Sequence, residues 1–146
     1  MGKLIRIAVV VSLAVLPASL AAHHSFSAEF DFQKPITLVG VLTRMEWINP
    51  HGWIYLDVKD KDGKVVSWAI ETGAPNALLR RGLRKTDFPL GVEVKVTGYL
   101  AKNGKPVANG RTVKFPDGRD FFFGSSGNGA PEDGSDKAGG RGAAPQ

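Results

Sequence analysis

Short runs in which apolar and polar residues alternate are the feature that most constrains the fold of this chain. Residues 52–59 show it most clearly, because Ile54, Leu56 and Val58 alternate with aromatic and acidic side chains. Alternation with a period of two is typical of a β-strand with one buried face. Related patterns predict four further strands, over residues 35–47 and 65–71, from Gly91 onward, and over residues 112–115.

One short helix is predicted between the third and fourth strands. Pro75 suits the first turn of a helix, and Gly82 suits the position just after its last turn. In the long first strand the apolar residues change face, as at a β-bulge, and Gly40 allows a close backbone approach. This order predicts a mainly β fold, a five-stranded OB-type barrel with one short helix between strands 3 and 4. An eight-stranded up-and-down barrel needs more strands, and a β-sandwich does not require a helix at that point.

The N-terminus has the three-part pattern of a secretory signal peptide. Lys3 and Arg6 precede an apolar run over residues 7–16, and a short region of small residues follows. A membrane-spanning helix needs about 20 apolar residues, and a proline interrupts this run earlier, so a membrane anchor is the less favoured alternative. We expect cleavage after Ala21, or alternatively after Ala22, and therefore a periplasmic protein with no transmembrane segment after cleavage.

The chain divides into four segments on this interpretation: a signal peptide at residues 1–21, an N-terminal arm at 22–34, a barrel domain at 35–123 and a tail at 124–146. The tail has no large apolar residue, so it cannot offset the entropy of ordering and is predicted to be disordered. The arm has three aromatic residues that we expect to attach it to the barrel: Phe26, Phe30 and Phe32.

Composition excludes several kinds of site. The chain has no cysteine, so disulfide bonds, thiolate metal sites and a catalytic thiol are excluded. The net charge is +5, and removal of Lys3 and Arg6 with the signal peptide leaves +3. That charge is too small to argue for nucleic acid as a partner. No phosphate loop or zinc-protease motif is present, and Ser25 beside His24 does not make a catalytic triad.

Several short motifs occur together between residues 23 and 123: His23-His24-Ser25-Phe26, Glu46-Trp47, Asn49-Pro50-His51, Trp53, Pro75-Asn76-Ala77-Leu78 and Arg80-Arg81-Gly82. In this combination the chain resembles an uncharacterised family of small exported bacterial proteins, a domain of unknown function. The resemblance implies export and an OB-like fold, and it supplies no catalytic residue.

The three histidines are candidate metal ligands: His23, His24 and His51. Cleavage after Ala21 gives a free amine, two amide nitrogens and the imidazole of His24, a nitrogen donor set that suits Cu²⁺. Cleavage after Ala22 gives the amine and imidazole of His23, to which His51 can add a second ring. The alternative is that His23 and His24 are solvent-exposed and that His51 stabilises a turn.

Two further groups are candidate ligand-binding residues. The first is an aromatic group around the first loop, formed by Trp47, Trp53 and Tyr55, whose rings can stack on a ligand. The second is Arg80 and Arg81, which form a basic cluster at the end of the helix with Arg84 and Lys85. This cluster either contacts an anion or a phospholipid headgroup or simply complements the C-terminus of the helix. The sequence therefore predicts a monomeric, non-enzymatic binding module for an unknown small ligand or protein partner, with a copper-binding protein as the alternative.

Overall fold

The computed structural model describes residues 26–125, which form a mainly β structure. The helices are α1 (Phe26–Glu29) and α2 (Pro75–Arg80), and a 3₁₀ turn spans Lys85–Asp87. The strands are β1 (Phe30–Glu46), β2 (Trp53–Lys59), β3 (Val65–Glu71), β4 (Glu93–Ala101), β5 (Val107–Lys114) and β6 (Asp120–Phe122). The mainly β prediction is confirmed, and α2 lies between β3 and β4 as expected. The described chain has six strands where the sequence predicted five, because its last aromatic segment pairs with β5.

The strands form one sheet in the order β3-β2-β1-β4-β5-β6. All neighbours in this order are antiparallel, and a further parallel pairing joins β3 to β5 over residues 69–71 and 107–109. The long strand β1 contributes to both halves, since residues 41–46 pair with β2 and residues 30–41 pair with β4. A bulge between Leu42 and Arg44 produces the predicted change of face. At Gly40, a Cβ atom would lie 2.7 Å from the carbonyl oxygen of Asp57, so the two backbones need glycine there.

One face of the sheet is covered by the main hydrophobic core. Leu42, Ile54, Leu56, Ile70 and Val96 are almost fully buried there. Leu78 of α2 completes this core together with four residues from the loops and the C-terminal end: Leu83, Phe88, Phe115 and Phe123. Burying a side chain of this size contributes roughly 1.5–3 kcal/mol, so this core supplies most of the drive to fold.

A second, smaller apolar cluster lies where α1 meets the sheet. Phe26 and Phe30 are buried with Ala101, and Tyr99 and Val107 pack beside them. Phe32 is 54% exposed, so only two of the three expected aromatic contacts form. The strand β1 begins at Phe30, whereas the sequence suggested a start at residue 35, because the end of the predicted arm pairs with β4.

Several predictions fall outside residues 26–125, namely the signal peptide, the cleavage site and most of the predicted tail. Gly124 and Ser125 begin that tail; Gly124 is buried, and its N–H donates to the carbonyl of Arg111. Within the part of the chain that the structure describes, no helix is long and apolar enough to cross a bilayer.

Candidate functional site

A row of large side chains crosses the sheet on the face opposite the main core. Trp53 of β2 lies directly opposite Glu71 of β3, and Glu71 pairs with Asn109 of β5. Asn109 in turn pairs with Tyr99 of β4. Directly opposite residues project from the same face of a sheet, so these four side chains form one continuous row.

Trp53 borders an open groove at one end of this row. The groove has a volume of about 470 Å³. Its apolar surface comes from Phe30, Ala101 and Val107, and its polar rim comes from Glu29, Lys102 and Asn103. Lys102 also holds the rim in place, since its ammonium group donates to the carbonyl of Ser27 at 2.6 Å and its backbone N–H donates to that of Glu29 at 2.9 Å. An indole beside a small apolar floor with a charged rim suits a ligand that has one flat face and polar edges.

Glu71 is the centre of a buried polar cluster beside the Trp53 groove. It is 7% exposed, and its Oε1 atom accepts a hydrogen bond from the side-chain amide of Asn109 at 3.2 Å. The Nδ1 atom of His51 lies 3.4 Å from the same oxygen. A carboxylate oxygen only accepts hydrogen bonds, so a ring with its proton on Nδ1 fits this contact and leaves Nε2 as the second ring nitrogen.

The polar cluster also contacts the chain that follows β6. Nδ1 of His51 is 3.1 Å from the hydroxyl oxygen of Ser125, and that hydroxyl donates to the carbonyl of Thr72 at 3.3 Å. The backbone N–H of Gly73 donates to the carbonyl of Phe123 at 2.8 Å. The loop before β2, the end of β3 and the chain after β6 therefore meet at one place.

The aromatic residues predicted from the sequence separate into three environments. Trp53 borders the groove, as described above. Tyr55 lies on the same face of β2, and the guanidinium of Arg44 stacks over its ring, with Cζ 3.7 Å from the ring centroid. Trp47 packs against the main core. The structure thus brings Trp53 and Tyr55 to one face and places Trp47 elsewhere.

The basic pair also separates. Arg81 is partly buried, and its Nη1 atom donates to the carbonyl of Gly124 at 2.7 Å while its guanidinium lies 4.7 Å from the ring centroid of Phe122. Arg80 is exposed at the end of α2. Arg81 therefore binds the chain after β6.

Of the three histidines predicted as metal ligands, only His51 lies within the described residues. His51 lies in the buried polar cluster, whereas His23 and His24 are outside the described residues. Among residues 26–125, no group of three or more histidine, aspartate or glutamate side chains is close enough to hold a metal ion.

A family model matches residues 9–110 of the sequence. The chain belongs to DUF6152, a family of unknown function. The predicted resemblance to an uncharacterised family is confirmed by this match. No curated protein and no solved structure matched the chain. For this DUF6152 protein, the candidate functional residues therefore come from the geometry alone.

Three residues of the candidate site were missed by sequence reasoning. Glu71 ends an apolar strand pattern, and a carboxylate there is a signal that the sequence did carry. Asn109 lies in β5, which begins at Val107, whereas the sequence predicted a fifth strand only over residues 112–115. Lys102 precedes Asn103-Gly104, a pair typical of a turn, and shows no pattern of its own.

Proposed function

We propose that this protein is an exported, non-enzymatic binding module with an OB-type barrel of five strands to which β6 is added. Support for the barrel comes from the ring of pairings, since β1 pairs with β2 and β4, β2 pairs with β3, β4 pairs with β5, and β5 returns to β3. The position of α2 between β3 and β4 agrees with this fold.

The Trp53 groove is the proposed binding site. In OB-folds, ligands bind on the face of strands 2 and 3 and on the loops between strands 1 and 2 and between strands 4 and 5. Trp53 begins β2 directly after the first of these loops, and Lys102 and Asn103 open the second. The observation that carries the proposal is this partly exposed indole at the edge of a groove with a charged rim. We propose a small saccharide as the ligand, because a sugar ring offers an apolar face to stack on indole and hydroxyls for the rim.

The test is a titration of the mature, isotope-labelled protein with mono- and oligosaccharides, followed by NMR. We expect the indole N–H of Trp53 to shift and Trp53→Ala to weaken binding by about tenfold, the value of one lost stacking contact. The matched control is Tyr55→Ala, which removes a ring from the same face but outside the groove. Equal loss in both variants, or none in Trp53→Ala, contradicts the site, and chemical turnover of a bound ligand contradicts the non-enzymatic role.

Export is tested separately by mass spectrometry of the protein from cell fractions. We expect a periplasmic product that begins at Ala22. An intact precursor folded in the cytosol would refute export and leave the binding proposal standing.

A second candidate function is copper binding, and the orientation of His51 favours it. Histidines that bind metals commonly use one ring nitrogen for the metal and turn the other towards a carboxylate, which fixes the ring and the tautomer. His51 fits this arrangement, because its Nδ1 atom lies 3.4 Å from Oε1 of Glu71 and Nε2 is then the nitrogen that would bind the metal. The proposal needs further nitrogen donors from the mature N-terminus, where His23 and His24 follow the new amine.

The copper proposal is tested by titrating the mature protein with Cu²⁺ and recording the electron paramagnetic resonance spectrum. We expect His24→Ala and His51→Ala each to change the number of nitrogen ligands, and the double variant to lose high-affinity binding. The matched control is Glu71→Gln, which keeps an oxygen beside Nδ1 and is expected to weaken binding less than His51→Ala. Full affinity in the double variant would contradict the proposal.

A further inference from the structure

A second groove lies on the same sheet, between the first half of β1 and the paired strands β4 and β5. Its volume is about 410 Å³, and it is separate from the Trp53 groove. The polar side chains that line it are Thr37, Thr97, Tyr99 and Arg111, and Pro35 and Ile36 form its apolar wall. Among the described residues that line this groove, Arg111 carries a positive charge and none is acidic.

A β-bulge places the arginine in this groove. Thr97 lies opposite Thr112, but the next residue of β4, Gly98, lies opposite Gly110, so Arg111 is an extra residue in β5. A bulge of this kind redirects one side chain out of the regular alternation, and bulges of this sort are frequent beside binding sites. Arg111 is only 8% exposed, so its guanidinium is shielded from bulk water and interacts more strongly with a charged ligand than a surface arginine does.

Tyr99 is oriented to add a second donor. The Nη1 atom of Arg111 donates to the phenolic oxygen of Tyr99 at 3.0 Å, so that oxygen acts as an acceptor and its own proton can be donated elsewhere. The ring of Tyr99 is fixed by Phe26, which meets it edge to face with 5.4 Å between the centroids. A phenol polarised by an adjacent cation and held in one position is a strong donor to a negatively charged oxygen.

We infer that this second groove binds a small organic oxyanion. The carboxylate or phosphate oxygens of the ligand accept hydrogen bonds from Arg111 and Tyr99, the threonine hydroxyls contact its remaining polar atoms, and its apolar part packs on Pro35 and Ile36. The residues that line this groove differ from those that line the Trp53 groove and from the histidines of the copper proposal, so each proposal can fail separately.

The test uses the mature full-length protein and three probes: inorganic phosphate, acetate and benzoate. Each is titrated into isotope-labelled protein, and we expect the amide signals of Tyr99 and Arg111 to shift with benzoate at millimolar concentration. Benzoate should bind more tightly than acetate because its ring reaches the apolar wall. Stronger binding of benzoate than of phosphate identifies a carboxylate as the preferred group, and binding of phosphate alone would overturn the organic part of the inference.

Conservative variants separate binding from folding. Tyr99→Phe keeps the ring against Phe26 and removes only the hydroxyl, so we expect a normal fold and about tenfold weaker benzoate binding. Arg111→Lys keeps the charge and loses the forked donor geometry, and we expect a similar loss. The matched controls are Tyr55→Phe and Arg44→Lys, which alter the other arginine–tyrosine pair of this sheet. Unchanged binding in Tyr99→Phe, or no response at Arg111 to any probe, would overturn the inference.

Discussion

Replacement of Phe26 by alanine tests whether α1 forms one wall of the Trp53 groove. Phe26 is 2% exposed and meets the rings of Phe30 and Tyr99 at centroid distances of 5.7 and 5.4 Å. Complete burial of a phenylalanine contributes roughly 1.5–3 kcal/mol, and a favourable aromatic contact adds about 0.5–1.5 kcal/mol. We therefore expect Phe26→Ala to weaken the docking of α1 by about 3 kcal/mol, which is roughly a hundredfold change in its equilibrium constant.

Native-state hydrogen exchange measures this change at one atom. The backbone N–H of Lys102 donates to the carbonyl of Glu29 in α1, so it exchanges when α1 leaves the sheet. We expect exchange at Lys102 to rise by about a hundredfold in Phe26→Ala, while the amides in the middle of β4 remain protected. The groove loses one wall in this variant, so saccharide binding should weaken in parallel.

The control for this experiment is Phe32→Ala, six residues away in the same segment. Phe32 is more than half exposed, and surface substitutions of this kind usually change stability by less than about 0.5 kcal/mol. If Phe26→Ala and Phe32→Ala change hydrogen exchange at Lys102 equally, the contacts of Phe26 with Phe30 and Tyr99 do not hold α1 on the sheet, and the prediction is wrong.

Two further predictions concern charged residues. Arg81→Met should lower the free energy of unfolding by about 1–2 kcal/mol in urea denaturation, because it removes the hydrogen bond to Gly124. Arg80→Met should change the free energy of unfolding by less than about 0.5 kcal/mol. Equal effects would contradict the different environments of the two side chains. The pKa of Asp117 lies below its ordinary value, chiefly because its carboxylate accepts a hydrogen bond from the backbone N–H of Arg119 and secondly because it bonds the Arg119 side chain. The stabilisation this implies is present above the ordinary pKa and is lost as the pH falls through the lowered value. In an NMR titration, Arg119→Ala should return the pKa of Asp117 only part of the way to its ordinary value, because the backbone donor remains.

The parts of the fold that local pattern determines were predicted well. The alternation of Ile54, Leu56 and Val58 places β2 correctly, because a strand with one buried face must alternate wherever it lies in the sheet. The start of β5 was placed too late, at residue 112 instead of Val107, and the strand contains Asn109-Gly110, a pair whose composition suits a turn. In the structure, a Cβ atom at Gly110 would lie 2.7 Å from the ring of Phe123, so this glycine serves close packing in the middle of the strand.

The candidate site was predicted only in part, for a different physical reason. Trp53 was identified because it belongs to a group of aromatic residues close together in the sequence around the first loop. Glu71 and Asn109 are 38 residues apart and become neighbours only through the parallel pairing of β3 with β5. No local pattern records a pairing of that length, so the polar cluster around His51 becomes visible only in three dimensions.

The contacts around the end of β3 also link the polar cluster to the stability of the fold. Gly73 and Gly124 approach so closely that a Cβ atom at Gly73 would lie 2.9 Å from the carbonyl oxygen of Gly124, and this contact brings Ser125 within reach of His51. Replacing Glu71 by a residue with no hydrogen-bonding group would leave the buried side-chain amide of Asn109 without this acceptor, at a cost of about 1–3 kcal/mol. It would also remove one of the contacts of His51. Because Gln at position 71 keeps an oxygen for Asn109 and removes only the charge, a functional defect in Glu71→Gln at unchanged stability would separate the electrostatic role of the cluster from its structural one.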